Sequence, residues 1–187
     1  MSPAELRGQL QTIKNNYALV QAGIMFLAQP NAVTKFDEYF AVVSAHPEAK
    51  RFGYIRYVFE SDELLALATN QLRKSVLRNC LKEMFELVKV YGLETNQIKL
   101  LRAAPWYQFL RMIRNSLSHD YWLRYKEHDL KLLPITWSGL TLTAAMDGGE
   151  LPMAGFLTRV KVIELMDDVI LYVEQHVGSL KKHHLSI

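Results

Sequence analysis

A single cysteine, Cys80, in 187 residues leaves no partner for an internal disulfide and no thiolate cluster for a structural metal, which fits a reducing compartment. Nine glycines and six prolines are too few and too scattered for a collagenous or low-complexity chain. No apolar run reaches the roughly 20 residues a membrane span needs. The nearest, "YALVQAGIMFLA", is shorter and is interrupted by Gln21. The first residues lack a basic segment followed by an apolar core, so no secretory signal is expected. Charged residues make up only 22% against 50% hydrophobic, a balance that excludes a disordered chain and can close a core. Length and composition together predict one soluble, cytoplasmic domain over residues 1–187.

Charge is scarce, yet it is not evenly spread. Residues 99–126 carry Lys99, Arg102, Arg111, Arg114, Arg124 and Lys126 against Asp120 alone, a net of +5, while the rest of the chain is net −2. A local cationic excess of this kind draws polyanions, although a solvated helix face looks the same in sequence.

The periodicity is mostly helical. Ser2, Pro3 and Glu5 form a helix start with a capping box, and Leu6, Leu10, Ile13, Tyr17, Val20, Ile24 and Leu27 continue as one apolar stripe that ends before Pro30. Asn31 caps a second helix, with Phe36, Phe40 and Val43 inward and a stop near Pro47. The stretch 51–60, "RFGYIRYVFE", suits a strand by content and a helix by context. Ser61, Asp62 and Glu63 open a long helix expected to close at Gly92, with Leu77, Leu81, Met84, Phe85 and Val88 as its core face. Another helix starts near Pro105 and runs to about Tyr125. "LKLLPITW", "SG" and "LTLTAAM" read as a small β-hairpin over about 131–146, turning at Ser138-Gly139, with Pro134 forcing an edge or a bend. "MDGGELP" is a loop without the lysine of a phosphate loop. The last helix, about Phe156 to Val177, carries two apolar stripes and is expected to be buried from two sides. The fold expected is therefore mainly α, an antiparallel helical bundle with a small hairpin insert.

The basic segment "RMIRNSLSHDYWLRY", residues 111–125, gathers groups suited to a phosphodiester. On a helical wheel Arg111, Arg114, Asn115, Ser118 and His119 share the polar face, with Arg114 and His119 near its two margins. An imidazole moves protons near neutral pH, a guanidinium forks onto phosphate oxygens, and an asparagine holds a hydroxyl. No metal is required by this set. Trp122 lies nearest the polar face among the aromatics and is the candidate for base stacking. His183-His184, without cysteine or a second histidine pair, reads as a polar tail.

Arg114-Asn115-Ser116-Leu117-Ser118-His119 resembles the R-N-x-x-x-H form of the motif of HEPN domains, helical bundles that include metal-independent endoribonucleases. The resemblance implies Arg114 and His119 as the catalytic pair with Asn115 beside them, RNA contacts from Arg111, Ser118, Trp122 and Arg124, no cofactor, and a site completed across a homodimer. Tyr121, two residues after His119, extends the match to the R-x4-H-x-Y pattern of HepT toxins. There a nucleotidyltransferase antitoxin attaches AMP to the tyrosine, so Tyr121 becomes a candidate modification site; the chain departs from the minimal toxin by its length and its hairpin. A toxin or defence ribonuclease is the function implied. The alternative is a non-catalytic HEPN module that binds RNA, a nucleotide or a partner protein.

Overall fold

A computed structural model describes residues 1–43 and 56–177. The expected stop near Pro47, the first half of 51–60, and His183-His184 lie outside the described residues. The chain forms two compact units, one of residues 1–15 with 78–187 and one of residues 16–77.

The elements in order are α1 (Pro3–Leu27), α2 (Ala32–Val43), α3 (Asp62–Glu94), α4 (Ile98–Arg102), α5 (Tyr107–Ser118), α6 (Glu127–Leu130), β1 (Ile135–Trp137), β2 (Leu140–Leu142), a 3-10 turn (Ala144–Met146), and α7 (Arg159–Tyr172), which continues as a π-turn (Val173–Val177). The mainly helical fold with a small hairpin is thus the one the periodicity predicts.

Local chemistry explains most boundaries. Ser2 and Glu5 make the reciprocal capping box, Ser2 N–H donating to Glu5 Oε2 at 2.6 Å and Glu5 N–H to Ser2 Oγ at 3.2 Å. Ser61 Oγ accepts from Leu64 N–H at 3.1 Å and caps α3. The hairpin pairs Ile135 with Leu142, Thr136 with Thr141 and Trp137 with Leu140. Its two turn residues, Ser138 and Gly139, both have positive φ, as a two-residue hairpin loop of right-handed twist requires. Pro134 precedes β1, where no ladder donor is needed.

Two boundaries differ from expectation. α3 passes through Gly92 and ends at Glu94. Gly92 is there for close approach: a Cβ on it would lie 2.4 Å from Leu101 Cδ1 of α4 and 3.2 Å from Ile98 Cα. α5 stops at Ser118 rather than near Tyr125. Both helices end in the same way. Gln97 N–H reaches Gly92 C=O at 2.7 Å and Tyr121 N–H reaches Ser116 C=O at 2.9 Å, with Asn96 and Asp120 in the left-handed region between. These are Schellman closures in which Asn and Asp stand where glycine is usual. Within 51–60, residues 56–59 form a 3-10 turn, neither strand nor α-helix.

In the unit of residues 1–15 and 78–187, the core is built from Leu6 and Leu10 of α1, Leu81, Met84 and Val88 of α3, Phe109, Ile113 and Leu117 of α5, and Val162, Leu165, Met166 and Val169 of α7, all fully buried. Both stripes of the last helix are largely consumed here, which fits burial from two sides. The hairpin leans on α5 through Trp137, whose ring centroid lies 5.3 Å from that of Phe109 and whose Nε1–H donates to Asp168 of α7 at 2.8 Å. In the unit of residues 16–77, Phe36 contacts the rings of Phe40 and Phe59 at 6.0 and 5.3 Å, and Arg56 pairs with Asp37 at 3.3 Å. Among the described residues, no helix is long and apolar enough to cross a membrane.

Candidate nucleic-acid site

α5 presents a buried apolar face, and this orients its polar residues outward. Phe109, Leu110, Ile113 and Leu117 are fully buried, so Arg111, Arg114 and Asn115 fall on the opposite side. There they line a groove of about 460 Å³. Arg102 at the end of α4, Lys89 of α3 and Lys126 contribute further cations to the same groove, and Tyr107 and Phe85 supply aromatic wall.

Each arginine of α5 is held by a carboxylate from another element. Arg114 Nη2 pairs with Glu86 of α3, and its Nη1 donates to Asn115 Oδ1 at 3.1 Å, while its guanidinium lies 5.9 Å from the Phe85 ring centre. Glu86 also pairs with Lys89 at 3.2 Å. Arg111 donates to Gln108 Oε1 at 2.8 Å and sits 2.7 Å from Asp129 Oδ1 of α6, an ion pair without good hydrogen-bond alignment.

Asp129 is the most buried charged group of the groove, 2% exposed. Burial alone would raise its pKa; the backbone N–H of Lys126, the Arg111 guanidinium and nearby His128 outweigh this and hold the carboxyl below its ordinary value. Its Oδ2 accepts from Lys126 N–H at 3.1 Å, closing the first turn of α6. His128 Nε2 lies 3.2 Å from Asp129 Oδ1, and His128 lines the groove.

The motif residues are only partly brought together. Arg114 and Asn115 share the groove with Arg111. His119 has left the helix as its C-cap, with φ −113° and ψ 43°, and its exposed side chain is not part of the groove lining. Ser118 is exposed and its hydroxyl donates back to Arg114 C=O at 3.0 Å. Trp122 and Arg124 are both exposed. Tyr121 is 1% exposed, with Arg78 5.6 Å from its ring centre and Arg78 bound to Asp120 at 2.9 Å.

That segment is tied down by the loop "MDGGE". Leu123 N–H donates to Gly149 C=O and Gly148 N–H to Leu123 C=O, both at 2.8 Å, and Asp147 Oδ1 accepts from Tyr125 N–H at 2.8 Å. The loop is a backbone partner for residues 121–125, a role invisible to motif reading.

Sequence reasoning missed His128, Asp129, Lys89 and Glu86. The only local signal was "KEHD", a carboxylate three residues after a helix start. Cys80 is not a nucleophile candidate, since burial, with Glu83 nearby, pushes its thiol up to about 11. Among the described residues, no cluster of His, Cys, Asp or Glu is arranged to hold a metal. Compared with protein-family models, with curated proteins and with solved structures, the chain matches none.

Proposed function

We propose that this chain is a metal-independent endoribonuclease of HEPN type, a toxin or defence protein of the cytoplasm that acts as a homodimer. The observation that carries the reading is the convergence of Arg114 and Asn115, two of the three motif residues, with Arg111, Arg102 and Lys126 in one groove. Arginine forks and lysine charges bind a phosphate backbone, and an arginine held in place by Glu86 stabilises charge at phosphorus without reorganising. In this reading Arg114 grips the scissile phosphate, Asn115 orients a ribose hydroxyl, and Arg111, Ser118, Trp122 and Arg124 extend the RNA path. His119 exchanges a proton with a reacting oxygen. Because it caps α5 outside its own chain's groove lining, it serves the groove of a second copy. Nucleotidyltransferase control through Tyr121 belongs to the same reading and acts on an opened form of the 119–125 segment.

Purified protein given RNA in the presence of EDTA should produce ends bearing 2′,3′-cyclic phosphate, and His119→Ala should abolish this with folding intact. Wild-type protein that leaves every RNA whole overturns the enzyme reading.

The position of His119 favours one alternative, a non-catalytic module that binds RNA, a nucleotide or a partner protein through the same groove. Salt-dependent RNA binding without any cleavage distinguishes it.

A further inference from the structure

Cleavage of RNA by its own 2′-hydroxyl moves two protons. The attacking O2′ loses one as it bonds to phosphorus, and the departing O5′ gains one as the P–O5′ bond breaks. With each copy's His119 serving the groove of the other, each groove receives one motif imidazole for two transfers. Arginine stays protonated at working pH and cannot accept the first proton.

We propose that His128 is the second proton-transfer group, the base that deprotonates the 2′-hydroxyl. This rests on the endoribonuclease reading and assigns a residue that the motif does not contain. His128 lines the same groove as Arg114 and Asn115, so a phosphodiester gripped by Arg114 lies within that imidazole's own chamber. Its Nε2 stands 3.2 Å from Asp129 Oδ1. The pair is at ion-pair distance without hydrogen-bond alignment, and the ionised carboxylate faces the positive charge that forms when the imidazole accepts a proton. Asp129 is the positioning residue: it is buried, anchored by Lys126 N–H at 3.1 Å and by Arg111 at 2.7 Å, and it cannot swing away from the ring. The imidazole itself is well exposed, so it meets substrate without any opening of the fold. His119 then has the other task, giving its proton to the leaving 5′-oxygen. Protons balance: one passes to the His128 imidazole, one leaves His119, and solvent resets both.

Two substrates separate the roles. One is an oligoribonucleotide, whose leaving alkoxide needs a proton. The other is uridine 3′-(p-nitrophenyl phosphate), whose leaving phenolate does not. His128→Ala should lose about 10²–10⁴-fold in rate on both, as expected for removal of a general base, with RNA affinity unchanged. His119→Ala should lose activity on RNA and keep it on the nitrophenyl ester. The exposure of His128 lets the alanine variant fold, which a thermal melt verifies. If His128→Ala cleaves RNA at the wild-type rate, or keeps activity on the ester alone, the assignment is overturned while the nuclease reading stands. If wild-type protein cleaves neither substrate, both fall together.

Discussion

Asp129 carries more of the groove than any other single side chain. It joins the start of α6 to Arg111 of α5 and faces His128, all through one buried carboxylate. Removing one partner of a buried ion pair leaves the other charge uncompensated, so Asp129→Ala should cost about 3 kcal/mol or more in a denaturant melt. The pH dependence has a definite sign. A carboxyl held below its ordinary 3.8 contributes its full stability above that pH and loses it as pH falls through the depressed value. The gap between wild type and Asp129→Ala should therefore be constant near neutrality and narrow only below about pH 3.8. A gap that closed at neutral pH would mean that Asp129 is not the ionised anchor described here.

At the scale of elements, the groove depends on α4 lying close against α3. Gly92 makes this possible, and intrinsic propensity and packing pull in opposite directions there. Alanine in a helix interior is favoured over glycine by about 1 kcal/mol. A Cβ at 92, however, would meet the fully buried Leu101 at 2.4 Å and the Ile98 backbone at 3.2 Å, and overpacking of a filled core costs about 1–3 kcal/mol. Packing should win: Gly92→Ala is expected to lower Tm by a few degrees, and RNA affinity should fall with it because α4 delivers Arg102 to the groove. A raised Tm would show that Leu101 yields freely. The Schellman closures at Asn96 and Asp120 set the other edge, since α5 ends one residue before His119 and the imidazole stands at a helix terminus instead of on the helix face.

For the whole molecule, charge compensation decides which groove cations keep an unpaired charge. Arg114, Lys89 and Arg111 already have carboxylate partners, whereas Arg102 and Lys126 form no ion pair among the described residues. The net +5 of residues 99–126 is thus spent partly inside the protein. RNA binding should weaken with salt, with a log–log slope of about −0.7 per phosphate neutralised. Replacing both Arg102 and Lys126 by alanine should flatten that slope by about 1.4 without unfolding the chain. An unchanged slope in a filter-binding titration would remove these two side chains from the RNA path. Large apolar side chains also remain exposed in the unit of residues 16–77, among them Leu19 and Val42 at 72% and 80%.

What the sequence determined alone is what depends on neighbours along the chain. The capping box of Ser2 and Glu5, the α1 stripe through Leu6, Leu10 and Ile13, and the Ser138-Gly139 turn are all set by spacing and by φ preference, so they could be read directly. The apolar side of α5 likewise dictated that Arg111, Arg114 and Asn115 point the same way. Tertiary structure alone decided the rest. Nothing in "HDY" announces two left-handed residues, which persist with Arg78 bound to Asp120 and lying against Tyr121 and with Leu151 N–H bonded to Tyr121 C=O. Nothing near residue 114 announces Glu86, or brings His128 and Asp129 into the same groove. A groove is a property of several elements at once, and its members become neighbours only after burial of the apolar faces has chosen which polar faces meet.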